Sequence, residues 1–449
     1  MEQNKPDELT VNLGALIEQD RWDEVPAALE QMHVQDIAQQ LDAMDVGARL
    51  RVLRLLPRER WAPTFSYLNI GGQVELLDHL NYAEGRHVLT NLLPDDRTAL
   101  LESLPPEGVE RLLKWLTPAD VKQALKLLGY PEQSAGRLMT PRYVAVHPDW
   151  SISRALEHIR AQSQKGETVN VIFVTDDQGK LLDAIKIKQF ILTEPDAHVS
   201  DLMPGYFVSI GAWQDREEAV RLIRHYDLEA LPVIDQHGVL LGLVTVDDVM
   251  DVAEQETTED FHKIGAVGTI DLSLRDAKAS LLYRKRVGWL TLLTFVNIFS
   301  GAGLAYFEAT LEAVIVLVFF LPLIVASGGN AGAQAATLMV RALATGDVEA
   351  RDWFRLWAKE FGVALALGAT VAVVVFGLGF WRGGTDVAIV VSLAMMLVVV
   401  IGSMIGILLP FLLSRFNLDP ATASAPLITS IADVVGILIY FSIATAVLL

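Results

Sequence analysis

Over residues 1–133, leucine-rich stretches with helical spacing, such as "VERLLKWL" at 109–116, alternate with short polar breaks. The breaks read "LPRE" at Pro57, "NYAE" at Asn81–Glu84, "LPDD" at Pro94, "PPEG" at Pro106 and "TPAD" at Pro118, the last three spaced twelve residues apart. A proline at the first helical position with an acid in the first turn marks a helix start. The ring fixes a helical φ, and the carboxylate faces N–H groups that have no partner inside the helix. Short helices recurring as pairs, with a period of about 24 residues, predict a small α-superhelical domain over 1–133 that carries no chemistry of its own.

From residue 134 the pattern changes to strand-like runs. "LM" followed by Pro occurs at Leu138–Pro141 and again at Leu202–Pro204. After each come a β-like run, a helix, a strand, a turn with Gly and a second strand. "VIFVTDDQGKLLDAIKIKQF" aligns with "LPVIDQHGVLLGLVTVDDVM", and Gly179 matches Gly238. The two copies, 134–200 and 201–256, resemble a tandem pair of cystathionine-β-synthase (CBS) domains. That resemblance implies an α/β pair able to hold an adenosine nucleotide such as ATP. Its signature is a Ser/Thr followed three residues later by Asp. The second copy has Thr245 and Asp248, whereas the first has Lys186 and Gln189. An ordinary helix cap would use the same Thr and Asp.

Residues 257–283 read as a polar linking helix or helices. Five apolar runs follow, at Val287–Phe307, Ala313–Val340, Phe361–Trp381, Val387–Ser414 and Pro420–Leu449. Each has the ~20 residues a bilayer span requires. Residues 284–449 are therefore predicted to be an all-α domain of five transmembrane helices, and the whole chain to be multidomain.

Charge sharpens this division. The chain is 52% hydrophobic yet carries a net charge of −19. From Arg284 onward nine Lys/Arg balance nine Asp/Glu, so the whole excess of acid lies in residues 1–283. An acidic surface argues against a nucleic-acid partner and for cations. The absence of cysteine excludes disulfides and thiolate metal sites. "MEQNKPDELTVNL" lacks the basic start and apolar core of a signal peptide, so the polar N-terminal part is expected in the cytoplasm. Basic residues flank the spans at "YRKR", in the 2–3 loop (Arg341, Arg351, Arg355, Lys359) and at Arg415. The positive-inside rule then puts these loops in the cytoplasm and the chain's last residue outside.

Asp433 is the only ionisable residue in the five runs. A carboxylate there costs ~3 kcal/mol on insertion scales, so it must face water, an ion or a hydrogen-bonding neighbour. Thr429, Asp433, Gly436 and Tyr440 share helical spacing and form one small or polar stripe. No base in another run could neutralise the carboxylate, which points to a cation from outside the protein. Span 2 contains "LPLIVASGGNAGAQAATL", where Pro322, Gly328, Gly329 and Gly332 interrupt an apolar helix beside Asn330 and Gln334. Such residues either free backbone carbonyls for a hard cation, Mg²⁺ or Ca²⁺, or let helices pack closely.

The order of parts, with "SGGNAGAQAATLMVRALATGD" and "PLITSIADVVGILIYF", resembles the MgtE family of magnesium channels or transporters over nearly the whole chain. The resemblance implies a homodimer in the lipid of a cell inner membrane and a Mg²⁺ pore on its two-fold axis. Asp433, Asn330, Gly328 and Gly329 would line that pore. Where the family motif carries a second polar residue, this chain has Ala333. The resemblance also implies regulatory Mg²⁺ bound by Asp227, Asp247, Asp248, Asp251, Glu256, Glu259 and Asp260. Without the resemblance, the base-free acidic segment 246–260 is either a cation site or a solvated helix face. The function implied is Mg²⁺ uptake closed by internal Mg²⁺, the alternatives being a broader Co²⁺/Mn²⁺ route or a CBS-regulated membrane enzyme. The latter is disfavoured by spans without His or Cys and with a single carboxylate.

Overall fold

The computed structural model describes residues 12–163, 166–270, 277–348, 350–416 and 418–449. It divides into two compact units, residues 1–253 and 254–449.

The first unit opens with short helices from Leu13–Glu18 to Pro118–Leu128. The breaks read from sequence are their starts. Pro94, Pro106 and Pro118 each occupy the first turn of a helix, and Asn81 and Glu84 form a reciprocal capping box on Tyr82–Asn91. Leu29, Ile37, Leu53, Phe65, Leu89 and Leu100 lie in one continuous core along the array. Arg49 and Arg97 are buried within it. Arg49 donates to the carbonyls of Leu41 and Met44 at 3.1 and 3.0 Å, and Arg97 donates to that of Leu89 at 3.3 Å. Each guanidinium thus satisfies carbonyls left open where short helices end.

The two α/β modules repeat in detail. β1 (Ala145–Val146), β2 (Val171–Thr175) and β3 (Leu181–Lys186) form one sheet; β4 (Ile210–Gly211), β5 (Ala230–Ile234) and β6 (Leu240–Thr245) form the other. In both, the first pair is parallel and the second antiparallel, with a bulge at the same place, between Val174 and Thr175 and between Val233 and Ile234. Gly179 and Gly238 turn the two hairpins at φ +77° and +82°. A side chain with a Cβ would be strained in that conformation. The hairpins join: Leu181 N–H donates to Gly238 O and Leu240 N–H to Gly179 O. Phe173, Leu181, Leu240 and Leu243 form a core common to both modules.

A helix, Val246–Ile264, begins directly after β6. It is therefore not confined to 257–283. It starts inside the second module and ends at Ile264, and part of the expected linker, residues 271–276, lies outside the described residues. The next helix, Ala279–Tyr306, starts eight residues before the apolar run it contains.

In the second unit four helices are long and apolar enough to span a bilayer: Ala279–Tyr306, Leu317–Ala344, Trp353–Arg415 and Ala425–Leu448. The third supplies two spans. Gly384, at φ 79° and ψ −171°, breaks it within "RGGT". Its limbs run antiparallel, since Ser392 Oγ donates to Ala372 O at 3.1 Å and a Cβ on Gly368 would lie 2.9 Å from Met396 O. The second, fourth and fifth spans share a core of Phe320, Ile324, Val391, Met395, Val398, Ile437, Tyr440 and Phe441. The first span is peripheral. Gly303 meets Ile437, while Phe295, Ile298 and Phe299 stay exposed.

Candidate functional site

The second span runs as one helix through its glycines, so of the two readings of this segment the freed backbone carbonyls do not occur there and close helix packing does. The reason lies on the fourth span. A Cβ on Gly402 would stand 2.4 Å from Gly328 O, and one on Gly406 2.1 Å from Gly332 O. Gly328 and Gly332 thus face Gly402 and Gly406 backbone to backbone, a small-residue crossing that only glycine allows. Gly329 faces the fifth span instead, where its Cβ would meet Thr429 at 3.1 Å. Asn330 is exposed and has no hydrogen-bond partner among the described residues.

The predicted stripe on the fifth span divides. Tyr440 is fully buried and donates to Leu317 O at 2.9 Å, and Gly436 packs near Val398. Both belong to the bundle core. Tyr440 is a packing residue because its hydroxyl satisfies a carbonyl near the start of the second span. Thr429 stays at the Gly329 crossing and donates to Pro426 O. One helical turn further, about 5–6 Å along the axis, Asp433 is half-buried and has neither hydrogen bond nor ion pair among the described residues. The second and fifth spans run antiparallel, from the Gly329–Thr429 and Leu317–Tyr440 contacts. The Gly-Gly-Asn segment and Asp433 therefore flank one stretch of this helix pair.

The acids expected to share regulatory ions fall into three places. Asp227 is the exposed left-handed cap, φ 52°, of the helix Arg216–Tyr226. Asp247, Asp248 and Asp251 occupy the first turns of Val246–Ile264, and Glu256, Glu259 and Asp260 lie beyond them. At 1.5 Å per residue, Asp247 and Asp260 are about 20 Å apart along the axis, so no one ion can join them. Among the described residues, no three His, Cys, Asp or Glu side chains stand close enough to hold a metal ion directly.

At the start of that helix three further carboxylates converge. Asp95 and Asp96 come from the first turn of Pro94–Glu102, and Glu167 from the loop before β2. Burial, then the charge of Asp248, pushes Asp96 up to about 6 and Glu167 up to about 7; Arg142 opposes the second shift. Asp248 itself rises to about 6 by burial, against the Thr245 hydrogen bond. Asp95 is raised by burial and by the same neighbours. Asp95 Oδ1 and Glu167 Oε2 are buried with no hydrogen-bond partner among the described residues. Crowded, dry carboxylates of this kind favour a proton or a cation. The acids of "LPDD" are visible in the sequence as helix-start residues. Nothing in the sequence brings them to Asp248, and Glu167 carries no local signal.

At the other end of the helix, Lys263 Nζ lies 2.6 Å from Glu259 Oε1 and 2.5 Å from Asp419 Oδ2. Burial, then Asp419, pushes Asp260 up to about 6.

The nucleotide signature is occupied internally. Thr245 Oγ1 donates to Asp248 Oδ2 at 2.5 Å, and the Thr245 backbone N–H donates to the same oxygen at 3.4 Å, so Asp248 caps the helix start in this structure. In the first module Lys186 Nζ lies 3.4 Å from Glu229 Oε1, and Gln189 follows on the helix Ile187–Leu192.

Known proteins match this arrangement along the chain. The family model described as a divalent cation transporter matches residues 321–443, the MgtE intracellular N domain matches 32–133, and CBS domains match 135–192 and 199–254. The magnesium transporter MgtE of Thermus thermophilus is 37% identical over 98% of this chain and 99% of its own length. That of Bacillus subtilis is 33% identical over 98% and 97%. A crystal structure of the cytosolic domain of the Mg²⁺ channel MgtE in complex with ATP is 33% identical, covers 54% of this chain and all of its own, and superposes with a TM-score of 0.52. Five apolar spans carrying one free carboxylate, joined to a CBS pair by an acidic helix, thus have full-length counterparts, and the chain belongs to the MgtE family of divalent cation transporters.

Proposed function

We propose that this protein is a multi-pass magnesium transporter that works as a homodimer, with its pore between the two copies and Mg²⁺ as both cargo and regulator. The observation that carries the reading is Asp433, a carboxylate within a span that no described residue of its own chain neutralises. Mg²⁺ sheds water reluctantly and prefers oxygen. Two copies of Asp433 would hold the ion through its water shell, with Asn330 on the neighbouring helix offering an amide. Gly328 and Gly329 serve by bringing the second span close to the fourth and fifth.

The acidic helix supports regulation. The Asp95–Asp96–Glu167–Asp248 group fits a hydrated cation better than a closed cage, since its carboxylates crowd together without direct metal spacing. Bound Mg²⁺ would relieve that repulsion and favour the conformation in which these acids are close, since a ligand shifts an equilibrium only through differential affinity. ATP is the proposed second ligand of the CBS pair, through Thr245 and Asp248, once the hydroxyl leaves the carboxylate. The proposed setting is a cell inner membrane, with residues 1–253 in the cytoplasm and Leu449 outside. The basic residues that flank the spans at Arg284–Arg286, Arg341, Arg351, Arg355, Lys359 and Arg415 support this topology through the positive-inside rule.

The test is Mg²⁺ influx into proteoliposomes. Asp433→Asn keeps the shape and removes the charge, and should abolish flux while the protein still assembles. Wild-type flux in that variant refutes the pore role. Equal influx of Co²⁺ or Mn²⁺ in competition would replace magnesium selectivity by a broader divalent route, which the family description also names.

A further inference from the structure

The third span enters the bilayer from a segment that is basic on one face and aromatic beside it. Arg351, Arg355 and Lys359 recur every fourth residue, just before the apolar run that begins at Phe361. Arg351 lies in the 3-10 turn Ala350–Asp352, and Arg355 and Lys359 lie in the first two turns of Trp353–Arg415. At 3.6 residues per turn, Arg355 and Lys359 share a face with Ala358 and Gly362, opposite Trp357. Trp357 and Leu356 are turned inward and pack on Met339, Ile407 and Phe411 of the second and fourth spans. Trp357 also stacks on Phe361, with ring centroids 5.9 Å apart and planes at 16°. The bases therefore sit outside the bundle, at the depth where the apolar run gives way to polar chain. Phe354 and Phe361, 65% and 42% exposed, flank them, as aromatic side chains do at a headgroup boundary.

The charge placed there is not met within the chain. Arg355 and Lys359 are exposed and have neither hydrogen bond nor ion pair among the described residues. At the same spacing on another helix, Lys114 has Glu110 at 2.8 Å. Two bases four residues apart repel each other. The start of a helix carries a partial positive charge and adds to that penalty, and no acid stands in the first turn to offset it. The positive-inside rule asks for bases in this loop but not for bases on one face. Such a face, at headgroup depth and with aromatic flanks, fits the phosphate of an anionic phospholipid. Long basic side chains lay their apolar stems along the lipid and reach its headgroup with the charge. Gly362 leaves open space on the same face for the top of an acyl chain.

We propose that Arg355 and Lys359, with Arg351 one turn before them, form a binding site for the headgroup of an anionic phospholipid at the entry of the third span. The occupant is a lipid rather than a free anion, since the basic face continues without a break into the apolar run. The site rests on the reading of this helix as membrane-embedded and on nothing about the cargo, because its test measures lipid contact and not flux.

The chain has no cysteine, so Gly362→Cys, on the same face and with open space around it, takes a single fluorescent label. The full-length labelled protein is placed in phosphatidylcholine bilayers, and nitroxide-bearing phosphatidylglycerol or phosphatidylcholine is added as quencher. Phosphatidylglycerol should quench the label at a lower share of the bilayer than phosphatidylcholine does. R355Q/K359Q should lower that preference about 25-fold, roughly fivefold for each base. R355K/K359R keeps both charges and should stay near the parent. K122Q/K126Q removes the same charge from the first unit and should stay there too. If R355Q/K359Q does not assemble, R355Q alone should show about a fivefold loss. Inorganic phosphate should relieve quenching no more than chloride at equal ionic strength. Equal quenching by the two lipids in the parent, or an unchanged preference in the glutamine variants, overturns the site. So does a loss in R355K/K359R as large as in R355Q/K359Q, since charge would then not be the cause. Relief by phosphate beyond that by chloride would replace the lipid by a free anion and overturns it as well. A label that neither lipid quenches would overturn the membrane placement of this helix, so the two failures are told apart.

Discussion

Mg²⁺ binding should expel protons from the Asp95–Asp96–Glu167–Asp248 group, and the amount follows from the geometry. These carboxyl groups hold protons because burial and mutual charge penalise ionisation, with Glu167 at about 7 and Asp96 and Asp248 at about 6. The sign is fixed by the direction of the shifts. A carboxyl raised above its unfolded value keeps its proton longer in the fold. The contribution of this group to fold stability is therefore greatest on the acid side and falls as pH rises from about 4 through 7. A cation needs the ionised form, so binding must release what is held. At pH 7 Glu167 is about half protonated and Asp96 about one-tenth. The double variant Asp96→Asn/Glu167→Gln should thus release about 0.6 proton per chain less than the parent at pH 7. Lowering the pH from 7 to 5 should weaken Mg²⁺ binding in the parent more than in the variant. The assay is calorimetric titration of the full-length protein with Mg²⁺ in two buffers of different ionisation enthalpy. Equal proton release by both proteins at equal Mg²⁺ uptake would refute the reasoning, because the crowded carboxyls would then not be the ones that meet the ion.

Gly406→Ala would place a methyl 2.1 Å from Gly332 O. Overpacking of this kind costs ~1–3 kcal/mol or forces the spans apart, seen as a lower melting temperature in detergent and loss of Mg²⁺ flux, whereas Gly377→Ala, with open space around it, should leave both unchanged. Thr245→Ala/Asp248→Ala should abolish ATP binding measured by calorimetry; unchanged binding would move the nucleotide elsewhere and leave this pair as a helix cap.

Much of the fold is legible because its signals are local. Pro94, Pro106 and Pro118 start helices for reasons contained in their own turn, and Gly179 and Gly238 mark hairpins because each must take a positive φ. Five apolar runs give five spans, even where Trp353–Arg415 is nearly continuous, because Gly384 lies between charged Arg382 and Asp386. The family is legible from motifs along the whole chain. What stays hidden is which faces meet. A glycine in a span announces a close approach but not its partner, so Gly328 and Gly332 read equally well as broken backbone until Gly402 and Gly406 are seen opposite them. Tyr440 has the spacing of the Asp433 stripe, yet its hydroxyl is spent on Leu317 O. Helical spacing fixes an angle around the axis only to within tens of degrees, and that margin separates a pore-facing residue from a core one.

The same limit explains the acidic helix. Read as a window of residues 246–260, it has no base and invites one cation account for all its carboxylates. Folded, it is a rod whose two ends have different neighbours. The first turns meet Asp95, Asp96 and Glu167, adding acid to acid. The last turn meets Asp419 and brings its own Lys263, one turn beyond the acidic window. Charge composition is additive along a sequence, but the free energy of a charge depends on what stands within a few ångströms of it. One end of the helix therefore gathers carboxylates whose crowding a proton or a cation would relieve, and the other sets a lysine between two carboxylates.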